Sequence, residues 1–212
     1  MNGNLCRIRA RNLIKFINEK FYNLFQEFVQ PQDTIVELGC GFGYRLFMLR
    51  KRKLINKMEG FDLSESGVKA CQEINNFFKC NINFYVLDLI SDFDSNLLRN
   101  KTVFTYHVFE QLKHYTEKVV KNIIKGEPKE VLHFEPINEL YQNNLKDVTC
   151  KLYLHYNDFQ DRLLTILKKY EKLGFLKITH CYRLGYSENP YNETSFIRWI
   201  PQKIPSKKIY EF

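Results

Sequence analysis

The stretch TIVELGCGFG, at residues 34–43, carries the strongest fold signal in the chain. A short β-rich run enters Gly39, Gly41 and Gly43, and residues 44–52 then show a helical pattern. Glycines in such a turn let the backbone bend sharply and let a ligand approach without a Cβ atom in the way. Because open parallel sheets bind ligands at the carboxyl ends of their strands, the stretch predicts a strand, a ligand-binding turn and a helix.

Strand-like and helix-like segments alternate along the rest of the chain. Further strands are predicted at residues 58–62, 82–87, 101–106, 130–134, 175–183 and 194–199. Helices are predicted at residues 7–29, 66–78, 108–124 and 158–173, with an irregular stretch at 137–157. The helix at 108–124 has a predicted buried stripe of Val108, Leu112, Tyr115, Val119 and Ile123. This alternation predicts an α/β fold in which a mostly parallel, Rossmann-like sheet carries helices on both faces and ends in an antiparallel hairpin.

The glycine spacing and two carboxylates restrict the choice of cofactor. A dinucleotide-binding turn has the spacing G-x-G-x-x-G, whereas this turn reads G-x-G-x-G and follows an acidic residue, Glu37. Asp62 ends the second strand, 19 residues after Gly43, and Asp88 ends the third strand. Ionised carboxylates at these ends can accept hydrogen bonds from the hydroxyl or amine groups of a ligand. The spacing therefore disfavours a nicotinamide-dependent oxidoreductase.

These features together resemble class I S-adenosylmethionine (SAM)-dependent methyltransferases. The resemblance covers about residues 34–135 by motif, and the closing helix and hairpin match the seven-stranded sheet of that family in outline. It implies that SAM binds here, with S-adenosyl-L-homocysteine as product, and that Asp62 accepts both ribose hydroxyls. It also implies that Asp88 and the backbone N–H of Leu89 meet the adenine ring. The implied cofactor-binding residues are Glu37, Gly39, Cys40, Gly41, Gly43, Asp62, Leu63, Asp88, Leu89, Tyr106 and His107.

Catalytic candidates follow the fourth and fifth strands. His107 lies near the expected methyl position and has an ordinary pKa close to neutral, which suits a general base. Glu110 is a second candidate, although on a regular helix it would project almost opposite the buried stripe. Glu135, at the tip of the fifth strand, could orient an acceptor hydroxyl or amine. His133, inside that strand, is predicted to be a hydrogen-bonded core residue.

Missing motifs disfavour several classes of methyl acceptor. The position after the fourth strand, at residues 106–109, reads YHVF and lacks the [DNS]-P-P-[YFW] motif of adenine methylation. A Pro-Cys pair for C5 methylation and a catechol-type metal set are also missing, so no metal site is expected. We therefore expect O-methylation of a small polar metabolite, such as a sugar, a phosphorylated compound or a natural product. The alternatives are an RNA or protein methyltransferase and a non-catalytic SAM-fold binding or scaffold protein.

Composition and charge set the remaining expectations. The chain has 212 residues and a net charge of +8, which fits an anionic acceptor, a nucleic acid or a solvated basic surface. The six cysteines form no C-x-x-C pair, no apolar run could span a membrane and no signal peptide is recognised, so a cytoplasmic protein is expected. We expect an N-terminal helical extension at residues 1–30 and the methyltransferase domain at 31–212. The extension would either cover the cofactor or pair subunits in a homodimer.

Overall fold

A sheet of seven strands forms the centre of the computed structural model, which describes residues 9–55, 57–159 and 162–202. The strands are β1 (Thr34–Leu38), β2 (Lys57–Asp62), β3 (Asn83–Val86), β4 (Thr102–Tyr106), β5 (Glu130–Pro136), β6 (Leu176–Arg183) and β7 (Thr194–Pro201). Their order is β3-β2-β1-β4-β5-β7-β6. Only β7 runs antiparallel to its neighbours, β5 and β6, within this sheet. The predicted fold class is therefore confirmed.

Six α-helices accompany the sheet within the described residues. They are α1 (Ala10–Phe28), α2 (Tyr44–Lys51), α3 (Glu65–Phe78), α4 (Thr116–Lys125), α5 (Leu145–Tyr156) and α6 (Leu163–Lys172). Residues 7 and 8 of the first predicted helix and residues 160 and 161 of the last lie outside the described residues, as do residues 203–212 of the predicted domain. Among the described helices, none combines the length and apolar character needed to cross a bilayer.

The first helix packs onto the sheet through aromatic side chains. Phe21 and Phe25 of α1 are buried against Phe104 of β4, and Phe21 also contacts Phe134 of β5 at 4.7 Å between ring centroids. Aromatic pairs at such separations contribute about 0.5–1.5 kcal/mol beyond the area they bury. These contacts fix α1 beside the carboxyl ends of the central strands, next to the glycine turn.

Two segments differ from the sequence prediction. In place of one helix at 108–124, two 3₁₀ turns, Phe109–Gln111 and Lys113–Tyr115, precede α4. Left-handed backbone at His107 (φ 55°) and Lys113 (φ 48°) interrupts a regular helix, and Tyr115 of the predicted buried stripe is 51% exposed.

The segment predicted to be irregular, 137–157, contains α5. Its amphipathic pattern is obscured because Leu145, Val148, Leu152 and Tyr156 are all exposed. Asn144 caps the helix by accepting a hydrogen bond from the Asp147 backbone N–H, at 3.0 Å. The helix was missed because its outer face is apolar as well as its inner face.

A network of charged side chains ties α5 to the β6–β7 hairpin. Arg183 donates two hydrogen bonds to Asp147, at 2.7 and 2.9 Å, and two to Glu193, both at 2.9 Å. Lys146 donates to Glu193 at 2.6 Å. Both carboxylates are almost fully buried, so removing Arg183 would leave Asp147 without a cationic partner in the interior. The network holds the start of β7 in place beside the end of β4.

Candidate cofactor site

A cavity of about 610 Å³ opens at the carboxyl ends of β1, β2 and β4. Ten of the eleven predicted cofactor residues line it: Glu37, Gly39, Cys40, Gly41, Asp62, Leu63, Asp88, Leu89, Tyr106 and His107. Its lining also includes Tyr44, Arg45, Leu87, Ile90, Val108, Gln111 and Leu112, which were not predicted. Gly43, Glu110 and Glu135 are not part of the lining.

The glycine turn forms a floor without side chains. The backbone N–H groups of Gly39 and Cys40 both donate to the Phe61 carbonyl of β2, at 2.7 and 2.9 Å. Gly39 and Gly41 have positive φ angles of 70° and 52°. A Cβ atom on Gly41 would meet nothing within 4 Å, which means that this position faces open space in the cavity lining. The turn therefore offers bare backbone to a ligand.

Gly43 has a packing role in this turn. Its φ is 70°, it starts α2, and a Cβ atom there would lie 2.9 Å from the ring of Phe84. A larger residue would push against β3 without touching the cavity. This explains why a glycine of the motif does not line the site.

Asp62 joins the glycine turn to the cavity. Its two carboxylate oxygens accept hydrogen bonds from the backbone N–H groups of Gly41, at 2.7 Å, and Ser64, at 2.9 Å. Ser64 in turn caps α3 by accepting from the Gly67 N–H. Each carboxylate oxygen has a second lone pair, so the side chain can support the turn and still accept a hydrogen bond from a ligand hydroxyl.

Asp88 and Leu89 form the opposite side of the cavity. Asp88 accepts from the Ser91 hydroxyl at 2.7 Å and the Ile90 N–H at 2.9 Å, and these bonds, led by Ser91, lower its pKa. Asn122 of α4 donates to the carbonyls of Leu89 and Ser91. The loop after β3 is thus held in one shape, with an ionised carboxylate at the cavity wall.

Glu37 presents a buried oxygen that lacks a partner. The residue is 2% exposed, and burial raises the pKa of its carboxyl well above the ordinary value, opposed by the charge of Arg45. Its Oε2 atom has no hydrogen-bond partner among the described residues. Leaving a buried acceptor unpaired costs about 1–3 kcal/mol. A ligand that brings a donor, such as the ammonium group of an amino acid, would remove this penalty.

Arg45 is a site residue that sequence reasoning missed. It is 6% exposed, its guanidinium stacks 3.8 Å from the centre of the Tyr106 ring, and it donates to Asn18 of α1 at 2.7 Å. An exposed carboxylate, Glu188, lies 3.6 Å away. The residue was missed because an arginine in the first turn of a helix gives no signal of burial. It places a positive charge at one end of the cavity.

His107 is held by groups from the start of β7. Its Nε2 atom lies 2.8 Å from the Thr194 hydroxyl, and its Nδ1 atom lies 3.3 Å from Glu110 Oε2. Asn192 donates to the same Glu110 oxygen at 2.7 Å. Glu110 is 7% exposed, so the expectation that it projects outward is wrong, because a 3₁₀ turn replaces the regular helix there. Asn192 and Thr194 gave no sequence signal.

Glu135 lies behind the site. It is fully buried, and its two oxygens accept from the backbone N–H groups of Val108 and Phe109, both at 3.1 Å. Burial raises the pKa of this carboxyl to about 7. The structure thus places Glu135 against the backbone after His107, where it supports the loop, and away from the cavity lining. Its contact with the acceptor stays a prediction.

His133 occupies the core, as expected. Trp199 donates to its Nε2 atom at 2.9 Å, so Nδ1 carries the proton and donates to the Thr105 hydroxyl at 2.9 Å. Burial lowers the pKa of this ring to about 3. The ring is neutral, has both nitrogens bonded and lies outside the cavity lining.

Comparisons with known proteins give matches of structure only. Neither a protein-family model nor a curated protein matches the sequence. Magnesium protoporphyrin IX methyltransferase from Synechocystis PCC 6803, solved with bound SAH, is 14% identical and has a TM-score of 0.64, over 94% of this chain and 90% of that chain. The methyltransferase domain of a bacterial CtHen1 protein is 16% identical, with a TM-score of 0.60, over 90% of this chain and 100% of that domain.

A third solved structure shows the same likeness. A Pyrococcus horikoshii protein is 14% identical, with a TM-score of 0.66, over 89% of this chain and 91% of that chain. At these identities the matches establish the fold and leave the acceptor undetermined. In strand order and in its solved structural matches, this chain has the fold of the class I SAM-dependent methyltransferases.

Proposed function

We propose that the protein is a SAM-dependent methyltransferase that O-methylates a small polar, anionic metabolite. The observation that carries the proposal is the cavity at the strand ends, where a bare glycine turn and ionisable groups from the ends of four strands converge. The unpaired Oε2 atom of Glu37 would accept a hydrogen bond from the ammonium of the methionine part of SAM. Asp62 would accept from the ribose hydroxyls, and Asp88 would accept from the adenine amine. The residues present fit this cofactor.

Each residue of the site then has a defined task. SAM supplies a methyl group already activated on a sulfonium. Positioning an acceptor in line with such a group contributes much of the rate. His107 takes the proton of the acceptor hydroxyl at Nε2, exchanging its bond with Thr194, and the nearby carboxylate of Glu110 favours the resulting imidazolium. Glu135 and Asn192 position these two groups through hydrogen bonds.

The net charge of +8 keeps an RNA or protein methyltransferase as a second candidate. If the acceptor is RNA, the affinity of the protein for RNA should fall steeply with salt concentration. A small acceptor predicts a binding site of limited volume and a weak dependence on salt. A fold that has lost catalysis would bind neither SAM nor SAH strongly.

Calorimetric titration with SAM, SAH and NAD, at two salt concentrations, tests the proposal. We expect SAM and SAH to bind with micromolar affinity and NAD not to bind. Turnover is then tested by transfer of labelled methyl groups to a panel of sugars, phosphorylated metabolites and RNA. Absence of binding by both SAM and SAH would contradict the assignment of the cavity and favour a scaffold role.

A further inference from the structure

A groove of about 680 Å³ runs between α1 and α2, beside the cofactor cavity. Four cationic side chains line it, and the single carboxylate of its lining, Glu19, is paired with Arg52 at 3.0 Å. The other three cations, Arg11, Lys15 and Lys51, are exposed and have no ion-pair partner within 4.0 Å among residues 9–55, 57–159 and 162–202. The groove therefore carries uncompensated positive charge.

The walls of the groove are partly apolar. Ile14 of α1 is 44% exposed and Tyr44 of α2 is 52% exposed, and Phe47 and Met48 complete the same wall. Cationic groups beside exposed apolar side chains suit a ligand that combines an anionic group with an apolar body. A volume of this size holds a small molecule and is within the range of ligand pockets.

The groove meets the cofactor cavity at Tyr44, which lines both. Asn18 of α1 joins the two spaces, because it donates to the Tyr44 hydroxyl at 2.6 Å and accepts from Arg45 at 2.7 Å. Beyond Arg45 lie Tyr106 and His107, whose rings are 5.0 Å apart. The groove and the cavity that His107 lines thus share a wall at Tyr44.

We infer that the groove between α1 and α2 binds the methyl acceptor, and that the acceptor is a small organic anion with an apolar part, such as an aryl phosphate or carboxylate. This inference rests on the proposed function. Arg11, Lys15 and Lys51 hold the anionic group, Ile14 and Tyr44 contact the apolar part, and the reactive end passes Tyr44 into the cavity. Nucleic acid is disfavoured because three cations in one groove of about 680 Å³ suit a single anionic group, whereas a nucleic-acid site contacts many phosphates along the backbone.

The test compares 1-naphthyl phosphate with 1-naphthol, which differ only in the phosphate group. Their binding to the full-length protein is followed by fluorescence, with and without saturating SAH. In the groove variant, Arg11→Gln/Lys15→Gln, we expect the Kd for naphthyl phosphate to rise roughly threefold to tenfold, since two exposed ion pairs are lost. The matched control, Lys168→Gln/Lys172→Gln on α6, removes the same charge elsewhere and should leave that Kd unchanged.

Other outcomes would overturn the inference. Equal affinities for naphthol and naphthyl phosphate would show that the charge does not contribute to binding. An equal rise in the Kd for naphthyl phosphate in the control variant would show that binding does not depend on the groove. Displacement of naphthyl phosphate by a single-stranded oligonucleotide, with a steep salt dependence, would assign the groove to nucleic acid. SAM affinity is measured in parallel on the wild type. If the wild type does not bind SAM, the proposed function is refuted. If it binds SAM and any of the contrary results above is found, only the inference about the groove is refuted.

Discussion

Replacing Asp62 with alanine gives the sharpest test of the cofactor site. The carboxylate accepts hydrogen bonds from the backbone N–H groups of Gly41 and Ser64, at 2.7 and 2.9 Å, and lines the cavity. Hydrogen bonds to a charged group contribute about 1.5–3 kcal/mol each. Because the Asp62 side chain is partly exposed, each of its two hydrogen bonds contributes at the low end of this energy range. Losing one or two equivalent bonds to the ribose should raise the Kd for SAM roughly tenfold to a hundredfold.

The assay is calorimetric titration with SAM, combined with thermal unfolding of the unliganded protein. Asp94→Ala is a matched control, because Asp94 also accepts a backbone N–H, from Asn96 at 2.9 Å, but lies outside the cavity lining. Both variants should lower the melting temperature by a few degrees, and only Asp62→Ala should weaken SAM binding. An unchanged Kd for SAM in Asp62→Ala would refute the assignment of the second strand end to the ribose.

Four other variants test the catalytic loop and the glycine turn. His107→Ala should lower turnover roughly a hundredfold with little change in SAM affinity, and equal losses in kinetics and calorimetry would make His107 a cofactor residue. The pKa of Glu135 is raised from 4.5 to about 7, so between these pH values the folded state keeps a proton that the unfolded chain releases, and stability falls as pH rises. In denaturant titrations, the free energy of unfolding of the wild type should fall by about 3 kcal/mol between these pH values, relative to that of Glu135→Gln. A difference between the two proteins that does not change with pH would contradict this. Gly41→Ala should abolish tight SAM binding at a stability cost of about 1–2 kcal/mol, whereas Gly39→Ala should lower the melting temperature further, because its Cβ would lie 2.5 Å from Val108.

Much of the lining of the cavity could be predicted because it is built from strand ends. Gly39, Asp62 and Asp88 are each recognised from a local pattern, a β-rich run that stops at a glycine or a carboxylate. In a parallel sheet, the carboxyl ends of the strands meet at one edge, so these local signals also predict proximity. The cavity brings these three residues together as expected.

The residues around the proposed base could not be predicted in the same way. Glu110 was expected on an outer helix face, but left-handed backbone at His107 and the hydrogen bonds that the Val108 and Phe109 N–H groups donate to Glu135 turn it into the interior. Helical periodicity carries no information about a break of this kind. The burial of Arg45 depends on α1, whose Asn18 accepts a hydrogen bond from the guanidinium.

The α/β fold class, the glycine turn and the carboxylates at the strand ends follow from the sequence alone, since each rests on contacts within a few residues or on the geometry of parallel strands. Which groups surround His107 depends instead on the tertiary structure. Thr194 and Asn192 reach it because β7 pairs antiparallel with β5, which sets Thr194 opposite Pro136 at the end of that strand. Such a contact joins residues more than 80 positions apart, and it exists only once the order of the strands is set.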